Sequence, residues 1–154
     1  MNIRIAAPAD VPAMLELERR AATAAHWQAQ DYQRLFEAGG RRLALVLEEE
    51  AKVCGFVVGR DLGEEWEIEN VAVAGPARRR GLGTRLVGEL LDHARQHGAQ
   101  SVYLEVRESN RAARSLYEKW AFIESGRRKS YYREPEEDAL LYRLTFPQAR
   151  PVSG

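Results

Sequence analysis

The sequence predicts one mixed α/β domain, on three observations. Leu43 to Glu48, Lys52 to Arg60 and Trp66 to Val73 are β-rich runs parted by acidic or glycine-containing breaks, the pattern of an antiparallel meander. From Gly81 the period turns helical: Leu86, Val87, Leu90, Leu91 and Ala94 form one apolar stripe, and Gly98 follows as a stop signal. A strand (Ser101 to Val106), a helix (Asn110 to Trp120) and a closing strand pair (Phe122 to Ser130 with Ala139 to Phe146) complete the order. The 154 residues suit a single core; residues 1–147 read as that domain and residues 148–154, polar and proline-bearing, as a flexible tail.

Ahead of the meander, Ile3 and Ile5 alternate with polar neighbours and predict a short strand. Pro8 suits a helix's first turn, where its missing N–H is harmless, and Val11, Met14, Leu15, Ala21 and Ala22 continue a helical stripe, with the helix running to about Arg20. Ala24 to Ala38 is less regular; Trp27, Tyr32, Leu35 and Phe36 stand at spacings a helix tolerates, and Gly39-Gly40 ends the stretch. This segment is expected to cover one side of a site. The chain has no internal repeat and no low-complexity tract.

Charge excludes some functions. Lys and Arg number 23, as do Asp and Glu, so no overall field draws the protein to nucleic acid or a membrane surface. The N-terminus lacks the pattern of a signal peptide and no apolar run approaches a membrane span, so the cytoplasm is the expected location. Cys54, the single cysteine, lies in the apolar run Val53 to Val58 and reads as a buried small hydrophobe. No His, Cys and carboxylate cluster has ligand spacing, so no metal is expected.

The strongest chemical signal is Val71-Ala72-Val73 followed by Arg78-Arg79-Arg80-Gly81-Leu82-Gly83-Thr84. It sets a glycine-bearing turn between a strand and an amphipathic helix, where unpaired N–H groups and the positive end of the helix dipole favour phosphate oxygens. Gly81 and Gly83 permit positive φ and close approach of a pyrophosphate, and Arg78 to Arg80 add positive charge. A plain basic connector has the same composition. The lysine of the P-loop and the third glycine of the dinucleotide fingerprint are both absent.

Arg78-x-x-Gly81-x-Gly83 after Asn70-Val71-Ala72-Val73 resembles the acetyl-CoA-binding segment of the GNAT acetyltransferases. Leu104-Glu105-Val106-Arg107-x-x-Asn110-x-x-Ala113-x-x-Leu116-Tyr117-Glu118 resembles the family's next strand and helix. Arg127-Arg128-x-x-Tyr131-Tyr132 with Glu137-Asp138-Ala139 resembles its C-terminal region, and together these blocks are similar to the ribosomal-protein-alanine N-acetyltransferase (RimI-type) branch. The resemblance implies a central, mostly antiparallel twisted sheet with helices on both faces. It also implies acetyl-CoA as cosubstrate, no metal, and the N-terminal amine of a ribosomal protein as acceptor, in a monomer or weak dimer. Acetylation of a small-molecule amine and coenzyme A sensing without turnover are the alternatives.

By this resemblance Glu105 is the general base and Tyr117 the acid that protonates the departing thiolate. The residues alone leave other readings open: Glu105 shares a strand face with Tyr103 and Arg107 as any charged residue does, and Tyr117 could simply pack beside Leu116. Glu69 is the competing base. Asn110 can cap its helix and hydrogen-bond the pantetheine arm, to which Val71 to Val73 would offer backbone groups. Trp27, Glu69, Tyr131 and Tyr132 are the candidate acceptor-side residues, and Glu134, Glu136, Glu137 and Asp138 form an acidic edge that could attract a basic peptide. The chain departs from the family pattern twice. Trp120-Ala121-Phe122 stands where Leu-Gly-Phe is typical, which puts the helix ending in doubt. His26-Trp27-Gln28 stands where Pro-Trp-Ser is typical, which puts acceptor specificity in doubt.

Overall fold

The computed structural model describes residues 1–21, 24–25, 27–75 and 81–147. Arg78, Arg79 and Arg80 of the glycine-rich turn, His26, and the tail from residue 148 lie outside the described residues. Seven strands form one sheet: β1 (Asn2–Ile5), β2 (Arg42–Glu49), β3 (Lys52–Asp61), β4 (Glu65–Val73), β5 (Ser101–Arg107), β6 (Ile123–Tyr132) and β7 (Glu137–Thr145). The helices are α1 (Val11–Arg20), the short α2 (Ala29–Gln33), α3 (Leu82–Gln96) and α4 (Arg111–Glu118). None of the described helices is long and apolar enough to cross a membrane.

The strand order is β1-β2-β3-β4-β5-β7-β6. Every neighbouring pair is antiparallel except β4 and β5, as expected for a mostly antiparallel sheet. Helices cover both faces, which explains why β2 and β3 are nearly continuous apolar runs. Leu45, Leu47, Val57 and Val71 pack with α3's Leu86 and Leu90 on one face; Val46, Phe56, Val58 and Ala72 pack with α1's Met14 on the other.

A bulge in β4 sets the geometry of the site. Val58 pairs with Asn70 while Gly59 pairs with Ile68, so Glu69 is the extra residue. Strict alternation from Ile68 would turn Asn70 toward α3; the inserted residue turns it toward α1 instead.

The structure corrects four expectations. Ile5 is 63% exposed, because β1 is an edge strand and leaves that face uncovered. Among its described residues, the stretch Ala24 to Ala38 holds only five α-helical ones, Ala29–Gln33, followed by a 3-10 turn, Arg34–Phe36. Cys54 is partly exposed rather than buried. Ala121 keeps the left-handed helix ending at φ 66°, so the departure from glycine leaves the shape of the ending intact.

Candidate active site

The parallel β4–β5 ladder has three rungs, the last joining Glu67 to Tyr103. Beyond it the two strands are not paired, and a cleft of about 310 Å³ opens between them. Ile68 to Asn70 and Glu105 to Arg107 form its walls, Tyr117 and Asn110 its α4 side, and Trp27, Tyr131 and Tyr132 its far rim.

Past the cleft, β4 runs on to Val73, which meets the start of α3 at Gly83. Gly81 caps the helix in a left-handed conformation, φ 71°, and as a glycine brings no side-chain cap to the first-turn N–H groups. Gly83 is already helical, and a methyl there would lie 3.4 Å from Val73 and 3.5 Å from Leu116. Only Gly81 therefore uses the backbone freedom expected of both. The side chains of Val71, Ala72, Val73 and Leu82 are buried, so these residues can offer a ligand only their backbones. Trp120 ties α4 to this helix: its indole N–H donates to the Thr84 carbonyl at 2.7 Å, and its ring lies against Gly88.

Asn110 caps α4 by accepting from the Ala113 N–H at 3.1 Å. One residue before the end of α4, Tyr117 packs edge to face on Phe122 with ring centroids 5.7 Å apart. Burial raises the proton affinity of its phenol well above the ordinary value. Among the described residues nothing hydrogen-bonds that hydroxyl.

Carboxylates dominate the opposite wall. Glu69 is held bidentately by Arg42, Nε at 2.7 Å and Nη2 at 3.3 Å. Glu105 lies on the face predicted for it, with Val102, Leu104 and Val106 buried on the other, and Arg128 Nε approaches it at 3.1 Å. Glu67 points into the same cleft; burial, then the charges of Glu69 and Glu105, raise its affinity for a proton.

The rim is built from distant segments. Glu18 of α1, 3% exposed, accepts from the Trp27 N–H at 2.6 Å, the Tyr32 hydroxyl at 2.9 Å and the Asn70 amide at 3.0 Å. Asn70 in turn accepts from the Ala25 N–H at 2.9 Å. This buried network fixes the Ala24–Trp27 wall to the strand just past the bulge. On the β6–β7 hairpin Tyr131 and Tyr132 meet edge to face at 5.1 Å, with the Arg107 guanidinium 4.2 Å from the Tyr132 ring centre.

The acidic edge is only partly available to a ligand. Glu137 is bound by Arg107 at 3.3 Å and by the Ser109 N–H at 2.6 Å; Asp138 is bound by Arg127 at 2.7 Å and by the Ser130 N–H at 2.8 Å. The structure thus gathers Trp27, Glu69, Glu105, Asn110, Tyr117, Tyr131 and Tyr132 around one cleft. It adds Glu67, Arg42 and Glu18, which sequence reasoning missed, and gives Tyr32 and Arg128, named there without a role, their contacts with Glu18 and Glu105. The alternation Glu65-x-Glu67-x-Glu69 was a visible sign that one strand face carries a row of acids.

The split in the sheet thus holds a tyrosine and a row of carboxylates, and the strand that borders it leads to a glycine-capped helix. The chain belongs to the acetyltransferase (GNAT) family, whose family model matches residues 11–122. It is 34% identical over 145 residues to the ribosomal protein bS18-alanine N-acetyltransferase of Salmonella typhimurium, spanning 93% of this chain and 96% of that protein. Its fold matches the crystal structure of the ribosomal-protein-S18-alanine N-acetyltransferase from Escherichia coli with a TM-score of 0.86 at 31% identity, over 98% of this chain and 97% of that one. An aminoglycoside 6'-acetyltransferase type Ii shares the fold, TM-score 0.82, at 18% identity over 97% of this chain and 100% of that one.

Proposed function

We propose that this enzyme moves the acetyl group of acetyl-CoA to the N-terminal α-amine of a protein, the alanine of a small-subunit ribosomal protein, in the cytoplasm. The observation that carries this reading is the split after Glu67 and Tyr103. Beyond it β4 is not paired with β5 and runs on to Val73, beside Gly83 of α3, so this edge could hold an extended pantetheine arm with its pyrophosphate on the Gly81–Thr84 amides. Arg78, Arg79 and Arg80 would add charge there. The Asn110 side chain and the Val71–Val73 backbone would line the arm. The names of the relatives support the acceptor.

A thioester is already activated, so alignment and proton transfer remain for the protein. The acceptor nitrogen attacks the carbonyl carbon directly and the C–S bond breaks. Glu105 takes a proton from the attacking nitrogen, and the Tyr117 hydroxyl protonates the departing thiolate. A buried phenol with raised proton affinity stays protonated at working pH, which suits a donor. Trp27, Tyr131 and Tyr132 would flank the acceptor chain, with Glu69 held by Arg42 as an acidic wall rather than a second base.

Thiol release from acetyl-CoA, with mass spectrometry of a peptide panel beginning Ala-Arg-Tyr set against polyamines, aminoglycosides and amino acids, tests this. Acetylation of the peptide α-amine is expected. Turnover on small amines alone would overturn the acceptor assignment, and coenzyme A binding without turnover would leave a sensor.

A further inference from the structure

The carboxylate proposed above as the base already holds a cation. Arg128 Nε lies 3.1 Å from Glu105 Oε1. An acceptor's α-amine has a usual pKa of about 7.7–8.0, so it enters largely as R–NH3⁺ and must reach the same carboxylate to pass on a proton. Two cations therefore claim one group.

We propose that Arg128 is a removable stand-in for the acceptor's ammonium: it holds Glu105 until an entering R–NH3⁺ takes its place. This rests on the amine-acetylation reading above. One cation replaces another, so the charge around Glu105 is the same before and after the exchange. An uncharged acceptor, such as an alcohol, brings nothing to offset the lost pair and finds the base occupied. Arg128 thereby selects for cationic acceptors, as a positioning residue that acts through Glu105 and touches no reacting atom.

Three observations carry the assignment. The first is the route of the side chain. Arg128 is in register with Ala139 and, across β7, with Arg107, two residues beyond Glu105 on one face of β5. Arg128 thus stands two strands from the acid and stretches over β7, across about 10 Å, to reach it. The second is exposure. The Arg128 side chain is 62% exposed and that of Glu105 19%, so the arginine end of the pair stands in water. An ion pair of this kind is weak, and letting it go leaves a hydrated guanidinium rather than a buried charge. Arg42, which grips Glu69 through two nitrogens, is only 26% exposed and holds a fixed wall.

The third is a second partner. The Arg128 guanidinium carbon lies 5.4 Å from the centre of the Tyr131 ring, a contact that can keep the arginine once the carboxylate is taken. The β6–β7 register shifts between Arg128 and Tyr132, which sets that ring off the regular ladder. Arg107, on Glu105's own strand, is committed elsewhere, to Glu137 and to the Tyr132 ring. The exchange favours the acceptor because a peptide brings the contacts of its whole chain, whereas the arginine brings one exposed pair.

The test is kinetic and spectroscopic. An internal competitor weakens acceptor binding by the fraction of time it holds the base, so Arg128→Gln is expected to lower KM for the alanine-started peptide about two- to fivefold, with kcat and KM for acetyl-CoA unchanged. Lys129→Gln removes the same charge from the next residue and should leave KM where it was. In the full enzyme with coenzyme A, the Nε–H resonance of Arg128, assigned by its loss in Arg128→Gln, should move when the peptide binds and stay when the same peptide carries an N-terminal acetyl group. An unchanged or raised KM in Arg128→Gln overturns the proposal. So does an equal fall in Lys129→Gln, the signature of a general field, or an Nε–H resonance that ignores the peptide or moves alike for both peptides. If the wild-type enzyme acetylates another amine, that amine takes the peptide's place in each measurement. A wild type inactive on every amine overturns the amine reading and this one together, whereas an active wild type with an unchanged KM in Arg128→Gln overturns this one alone.

Discussion

The two walls of the cleft are built on different principles. The wall we propose for the coenzyme comes from local runs, residues 71–75 with 81–84 and Asn110 to Trp120, and is held by apolar packing of Leu82, Leu86, Val87 and Tyr117 over β4 and β5. The wall we propose for the acceptor comes from α1, the segment around Trp27, the acid row of β4 and β5, and the β6–β7 hairpin. It is held by polar bonds: Glu18 to three donors, Arg42 to Glu69, Arg128 to Glu105, and Arg107 to Glu137. Backbone amides and a helix dipole recognise a phosphate whatever the side chains are, so the first wall suits an invariant cosubstrate. A wall of ion pairs is retuned by single exchanges, which suits an acceptor that varies.

The largest effect should come from the residue proposed to protonate sulfur. Tyr117→Phe is expected to lower kcat by about 10²-fold or more while acetyl-CoA binding, followed by titration calorimetry, stays within about twofold. The ring keeps its packing on Phe122, so stability should hold. Weakened coenzyme binding at unchanged kcat would make Tyr117 part of the binding wall and remove the distinction drawn for it.

Next comes the buried network behind the acceptor wall. Asn70→Ala removes a donor to Glu18 and the acceptor of the Ala25 N–H, leaving buried polar groups unpaired. That costs about 2–3 kcal/mol, a fall in melting temperature of roughly 4–12 °C. KM for the peptide should rise at least about fivefold while KM for acetyl-CoA is unchanged. Equal rises in both would show that the two walls are mechanically one.

The same contrast explains what the sequence discloses. The coenzyme wall was legible because its signals are local: the shift of period at Gly81, Asn110 three residues before Ala113, and Tyr117 seven after Asn110 on one short helix. The split at Glu67 was not legible, because it depends on where β5 stops pairing with β4, a tertiary event with no local signature. Nor was the partner of Glu69, since Arg42 lies 27 residues away on a strand that reaches it only around the bulge. Glu18 reads as one more polar residue of α1, and only the fold buries it beneath Asn70 and Tyr32. Gly83 misled in the opposite direction: it occupies the motif position, yet its backbone is ordinary helix.

A smaller perturbation probes the coenzyme wall. A methyl at Gly88 would lie 2.5 Å from the Trp120 ring, so Gly88→Ala must push the indole off the Thr84 carbonyl. The expected cost is about 1–2 kcal/mol, with a severalfold rise in KM for acetyl-CoA and none for the peptide. An unchanged KM would confine the indole to a structural role.

The smallest expected effect is a gain. Ala121 ends α4 at φ 66°, where its N–H donates to the Glu118 carbonyl at 3.0 Å and the Phe122 N–H to that of Tyr117 at 3.3 Å. A methyl in the left-handed region costs about 1 kcal/mol relative to glycine, and Ala121 is exposed, so removing that methyl forfeits no packing. Glycine loosens the unfolded chain and takes back part of the gain, leaving Ala121→Gly more stable by about 0.5 kcal/mol, roughly 1–2 °C in melting temperature. Kinetic constants for both substrates should not move, because Trp120 and Tyr117 keep their backbone positions. A lower melting temperature, or a changed KM for acetyl-CoA, would mean that the alanine holds Trp120 in place and that the helix ending belongs to the coenzyme wall rather than merely closing it.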